Sequence, residues 1–291
     1  MEHLTIEANG ASFHVARTGA GRPLLLLHGW PEFWLSWEPV MKRLADRYTL
    51  IAPDLRGFGD SAKPAGPFGP ADHAADMLAL LDALGVARVG VIGHDVGGAA
   101  MQPLARTAPE RLAGLFFFDF VYPGIGPRMA APDRLNEIWY QSFNQMEMAP
   151  GLVGATRDSC RTFIAHFLRH WSHRKEAFDD VIEAFTDNFL KPGNLAGGFA
   201  HYRAAHAARI RMMKGEALSS PRSRCRLACG GPSTIRCFRT TGPTGLAQVL
   251  AISTSRSFRA SDTFPIAKIP IAPQPRSRPS SSAWVGAEIL A

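Results

Sequence analysis

The chain has 291 residues, 46% of them hydrophobic and 20% charged, with a net charge of +7. That is enough apolar material to bury a core, either as one large α/β domain carrying an insertion or as two small domains. No apolar run approaches the roughly 18 residues a membrane span needs, residues 1–20 lack a basic segment followed by an apolar one, and four cysteines without regular pairing give no disulfide framework. A soluble, cytoplasmic protein is expected.

In chain order, residues 4–16 alternate and turn at Asn9-Gly10, as a two-stranded hairpin would. Residues 24–27 are a short apolar run ending in His28-Gly29-Trp30-Pro31. Residues 49–52 end in Pro53-Asp54-Leu55-Arg56-Gly57-Phe58-Gly59-Asp60-Ser61. Residues 89–92 run directly into Gly93-His94-Asp95-Val96-Gly97-Gly98, and a fourth strand is expected over 115–118. Helical patterns over 34–46, 71–84 and 97–108 separate these strands, which reads as a mostly parallel sheet with helices on both faces. Catalytic groups in such sheets sit at the carboxyl ends of strands, where His28, Asp54, Asp95 and Asp119 fall. From about 126 to 215 the strand signal gives way to helical periodicity.

The Gly93 to Gly98 stretch has the small-x-nucleophile-x-small spacing of a strand-to-helix elbow, with aspartate at the nucleophile position. Small flanking residues are needed because a strained turn leaves no room for side chains beside it. Asp95 is therefore the candidate nucleophile. A carboxylate nucleophile suits an sp3 carbon bearing a strained or good leaving group, since attack leaves an ester that water can cleave. The oxyanion of that second step needs two backbone N–H groups, expected from Val96 and Trp30, with Pro31 fixing the loop that presents Trp30.

The three motifs HGWP, DLRGFGDS and GHDVGG, in this order, resemble the α/β-hydrolase superfamily, in its aspartate-nucleophile branch of epoxide hydrolases and haloalkane dehalogenases. The resemblance implies an α/β-hydrolase core over 1–125, a helical cap over 126–215, no cofactor, no metal, and a small-molecule epoxide or halogenated substrate. Neither nucleic acid nor membrane is implied as a partner, and the oligomeric state is left open. Dehalogenases of this branch place Trp or Arg immediately after the nucleophile, where this chain has Val96. Epoxide hydrolases use cap tyrosines as donors to the epoxide oxygen. His201-Tyr202-Arg203 resembles the second tyrosine motif, and Trp139-Tyr140-Gln141-Ser142-Phe143-Asn144-Gln145 resembles the segment carrying the first, in a register that puts Phe143 at the donor position and Tyr140 one turn before it. The implied site is Asp95, Tyr202 and Tyr140 as catalytic residues, with Trp30, Val96, His28, Trp139 and Phe143 around oxyanion and substrate. A haloalkane or haloacid dehalogenase, or a non-catalytic ligand-binding pseudoenzyme, is the alternative.

The end of the chain departs from this pattern. Over 218–291, nine Arg and one Lys face only Asp262 and Glu288, a surplus of eight, so the rest of the chain carries about −1. The basicity belongs to a Ser/Pro/Arg-rich tail over 216–291 rather than to a nucleic-acid-binding face. No histidine follows His206, although the family takes its general base from a late loop. Asp119 could serve as orienting acid, but it has no such histidine to orient, and His94 sits on a turn expected to point it away.

The tail reads as a frameshifted hydrolase end. Back-translated and read from the third base of each codon, residues 260–270 permit V-G-H-F-P-H-R-E-D-P, which resembles the missing histidine loop. The same shift turns residues 229–239 into W-G-A-x-x-D-P-V-L-P, resembling the acid-bearing strand and loop. The shift would begin between about Ala217 and Arg222. The rival reading is a basic interaction segment, or a metal site at Cys225, Cys229 and Cys237, whose spacing matches no common zinc pattern.

Overall fold

The computed structural model describes residues 1–119 and 132–214, together with two short strands at 236–237 and 252–253. The chain opens as the expected hairpin, β1 (Glu2–Ala8) and β2 (Ala11–Thr18), paired antiparallel from Glu2 with Arg17 to Ala8 with Ala11. Asn9 and Gly10 have φ of 46° and 67°, the left-handed pair that a tight two-residue turn requires. Strands β3 (Arg22–Leu27), β4 (Tyr48–Pro53), β5 (Val89–His94) and β6 (Leu112–Phe118) follow. With β7 (Arg236–Cys237) and β8 (Ile252–Ser253) the sheet order is β1-β2-β4-β3-β5-β6-β8-β7. The central strands β4, β3, β5 and β6 are parallel, while β2 joins β4 antiparallel. The fold is thus a mixed sheet with a parallel centre.

Burial on both faces explains the apolar runs. Leu25 and Leu27 of β3 enter one core and Leu24 and Leu26 the other, each at 1% exposure or less. A strand that fits between two helical layers must be apolar throughout, unlike the alternating outer hairpin. Helices α1 (Glu38–Leu44), α2 (Pro70–Ala83) and α3 (Val96–Thr107) lie between the strands in sequence. The helix expected over 34–46 splits into a 3-10 turn, Trp34–Trp37, and α1, with Pro39 in the first turn of α1, where its missing N–H costs no bond.

Beyond β6, α4 (Leu135–Phe143), α5 (Ala149–Val153), α6 (Arg157–Trp171), α7 (Ile182–Leu190) and α8 (Asn194–Met213) contain no strand among the described residues. Thr156 caps α6 by accepting from the Ser159 N–H at 3.0 Å, while the Ser159 hydroxyl accepts from the Thr156 N–H at 3.0 Å. Phe163, Phe167, Trp171, Phe199 and Tyr202 from these helices surround Trp30 at ring-centroid distances of 4.9 to 6.3 Å. One aromatic side chain therefore welds the helical layer onto the carboxyl edge of the sheet. The acid and histidine loops inferred for the shifted tail, and the cysteine side chains there, lie outside the described residues.

Candidate active site

Asp95 occupies the single residue between β5 and α3, with φ 45° and ψ −107°. A non-glycine residue holds that conformation only where its surroundings enforce it. The enforcement is steric closeness on both sides. A Cβ on Gly93 would sit 2.8 Å from the Gly97 carbonyl carbon, and one on Gly97 would run into the Leu27 carbonyl of β3. The small flanking residues let α3 press against the strand ends, and Gly97 N–H donates to the His28 carbonyl at 3.0 Å. Asp95 thereby projects at the carboxyl edge of the parallel centre.

The Trp30 N–H donates to Asp95 Oδ2 at 3.0 Å, across a cis Trp30–Pro31 turn. Val96 opens α3, where backbone N–H groups lack intrahelical partners. Burial pushes the Asp95 pKa up; the positive charge of His94 and the Trp30 N–H pull against it without cancelling it.

His94 is turned onto Glu32, its Nδ1–H donating to Oε2 at 3.0 Å, and the same oxygen accepts from the Gly29 N–H at 3.0 Å. Burial opposes the imidazolium, but Glu32 outweighs it and lifts the His94 pKa to about 9. The same ion pair holds Glu32 low despite its own burial. Glu32 was not among the residues picked from the sequence, although it directly follows His28-Gly29-Trp30-Pro31. A carboxylate at that point of a loop that presents backbone N–H groups was the available signal.

His28 does not offer a donor to a substrate. It is fully buried, its Nδ1–H donates to the Gly29 carbonyl at 2.9 Å, and its Nε2 accepts from the Leu55 N–H at 3.0 Å. Both nitrogens are consumed, Nδ1 within the loop after β3 and Nε2 in tying that loop to Leu55 after β4, and burial lowers its pKa. Asp54 plays a comparable scaffolding part. Its carboxylate accepts from Trp34 N–H at 2.9 Å, Asp60 N–H at 2.9 Å and His14 Nδ1–H at 2.8 Å. Those donors outweigh burial and hold its pKa low.

The helical layer brings two tyrosines over Asp95. Tyr140 stacks on the Trp30 indole, centroids 5.6 Å apart and planes 2° from parallel, and Tyr202 meets both rings edge-on at 5.4 and 5.7 Å. Burial, reinforced by the Asp95 charge, pushes the Tyr140 hydroxyl up to about 12 and the Tyr202 hydroxyl well above its ordinary value. Both remain neutral O–H donors at physiological pH. Of the two candidates on α4, Tyr140 lies on Trp30, whereas Phe143 packs against Phe163 and Trp139 at 5.6 and 5.7 Å. Helical rotation decides this, since three positions along α4 turn a side chain by about 300°. Trp139 is 43% exposed and stacks on Phe167, on the outer side of the aromatic cluster. Asp119 directly follows β6 with φ 52°, and its charge reaches His94.

A second residue missed from the sequence is Arg209, whose guanidinium carbon lies 5.0 Å from the centre of the Tyr202 ring. It stands two helical turns after Tyr202 on α8, a spacing that puts both on one face.

The model of the alpha/beta hydrolase fold family matches residues 22–205. The chain belongs to that family. A soluble epoxide hydrolase from Corynebacterium sp. (strain C12) is 36% identical over 208 residues, covering 69% of this chain and 72% of the relative. A fluoroacetate dehalogenase from Burkholderia sp is 29% identical over 216 residues, covering 70% and 69%. Among solved structures, the epoxide hydrolase CorEH without ligand superposes with a TM-score of 0.64 at 28% identity, covering 73% of this chain and 77% of that one. This enzyme is an epoxide hydrolase-like α/β hydrolase, and no described helix is long and apolar enough to cross a membrane.

Proposed function

We propose that this hydrolase opens small-molecule epoxides through a covalent ester on Asp95, with the helices of 126–215 acting as a cap over the core of 1–125. The observation that carries the reading is Asp95 on a strained elbow, held by the Trp30 N–H, with the half-buried ring of Tyr140 and the buried ring of Tyr202 packed on Trp30. An Asp95 carboxylate oxygen forms a bond to one epoxide carbon as that carbon's bond to the ring oxygen breaks. The oxygen takes a proton from a tyrosine O–H, leaving a hydroxy ester. In the second step water would add to the ester carbonyl, and the Trp30 and Val96 N–H groups suit the oxyanion that forms there.

The second step lacks its base. No histidine follows His206, and His94 is committed to Glu32. The expected product in the chain as it stands is therefore a stalled ester. Asp119 keeps a suitable place for an orienting acid, and a restored reading frame would supply the histidine for it to orient. Incubation with styrene oxide followed by intact-mass spectrometry should show one added epoxide mass, absent in Asp95→Ala. Well-folded protein that gains no mass would overturn the proposal.

A dehalogenase is the second reading, favoured by the Burkholderia relative. It would release halide from chlorinated or fluorinated substrates, with Asp95 again as nucleophile. Val96 is an aliphatic residue where an indole or guanidinium would otherwise be available to the halide, which supports the epoxide reading over this one.

A further inference from the structure

Arg209 is a cation near the candidate nucleophile with no described carboxylate in ion-pair contact. Its guanidinium lies over the Tyr202 ring, its Nη1 is buried with no hydrogen-bond partner, and no described carboxylate pairs with it. Its charge is nevertheless felt at Asp95, Tyr140, Tyr202 and His201. Elsewhere in the site Glu32 pairs with His94, and the Asp95 carboxylate accepts the Trp30 N–H. A buried N–H of a charged group left unsatisfied is costly, and a planar guanidinium is shaped to receive a carboxylate through two parallel bonds.

We propose that Arg209 is a substrate-binding residue, and that the epoxides this enzyme takes carry a carboxylate which pairs with the Arg209 guanidinium beside Tyr202. The inference rests on the epoxide-opening reading for the reactive half of the substrate, whereas carboxylate binding stands independently of it. An anionic substrate would otherwise be repelled by Asp95, and the same cation that recognises the carboxylate offsets that repulsion. The contact of the Arg209 guanidinium with the Tyr202 face restrains the cation before a ligand arrives.

Two matched pairs test this on the full chain. In the first, 3-phenylglycidate and 3-phenylglycidamide are compared by the rate at which each adds its mass to Asp95. In the second, the inert pair phenylacetate and phenylacetamide is compared by calorimetric affinity, which needs no chemistry. The wild-type chain should favour the carboxylate member of each pair by about tenfold or more, the scale of one charge-assisted hydrogen bond. Arg209→Gln should bring both ratios to within about threefold of unity, and Arg209→Lys, which keeps the charge and loses the fork, should fall between. No preference in the wild type, or a preference that persists in Arg209→Gln, overturns the proposal and leaves Arg209 as packing for Tyr202. Arg209-dependent binding of phenylacetate without adduct from either epoxide would sink the ring-opening reading while upholding the carboxylate site. Equal adduct from both epoxides would do the reverse.

Discussion

On the proposed mechanism Asp95 must be ionised to attack, yet its burial favours the neutral acid. Its folded pKa is raised, so the nucleophile is lost as pH falls through a value above the ordinary 3.8. Adduct formation measured against pH should therefore reach half its plateau above pH 3.8, and a half-point at or below that value would contradict the placement. The tyrosines carry the opposite requirement, staying protonated over the working range. Tyr202→Phe and Tyr140→Phe should each slow adduct formation by about 10- to 100-fold without changing the mass gained, the range expected when one of two proton donors is removed. A variant at Phe143, which packs in α4 and α6, should change that rate far less. Of these residues Asp95 was legible from spacing alone, because the small-residue elbow is a local steric demand. The choice between Tyr140 and Phe143 was not, because it depends on which face of α4 meets Trp30.

At the scale of elements, two buried histidines mark the seam between α2 and α8. His73 and His201 lie with ring centroids 6.4 Å apart, and neither His73 nitrogen nor His201 Nδ1 has a hydrogen-bond partner. Asp76, Asp72, His28 and Arg56 act on His73, and His73 and Arg209 on His201. Burial outweighs these neighbours and lowers the two pKa values to about 4 and about 3. Both rings are neutral when folded and take up protons near pH 6.5 when unfolded, so stability falls as pH drops below about 6.5 and this loss levels off only near the folded pKa values. Unfolding free energies from denaturant titrations at pH 7 and pH 5 should differ by about 2 kcal/mol for each ring. His73→Phe should remove roughly half of that dependence, and an unchanged slope would show the seam is not its source.

The Glu32–His94 link between the β3 loop and the β5 end has the opposite sign. His94 is raised to about 9, so its contribution is complete below about pH 6.5 and is lost as pH rises through 9. Melting temperature should decline across that alkaline window, and Glu32→Gln should flatten the decline. The hairpin, the strands and the order of the helices were legible because each obeys a short-range pattern. The Glu32–His94 and His73–His201 pairs were not, since their partners are 62 and 128 positions apart and only packing brings them together.

For the whole molecule, the family match ends at residue 205, and the basic tail follows. If the tail is a shifted frame, resequencing the DNA from the codon of Met213 to the stop will reveal one inserted or missing base. On the proposed mechanism the corrected chain would release diol with turnover, where the present one should accumulate an ester that hydroxylamine cleaves. An unchanged frame would overturn the shifted-frame reading of the tail.

The sequence by itself determined the parallel centre of the sheet, the elbow with Asp95 at its turn, and the loop that carries Trp30, because strand runs and small-residue turns are demands a few neighbouring residues impose on each other. Only the tertiary structure decided that His28 and Asp54 are scaffold, that His94 belongs to Glu32, and that Tyr140, Tyr202 and Arg209 converge near Asp95. Those assignments depend on which faces of distant helices meet the sheet edge, where burial and charge act through space rather than along the chain.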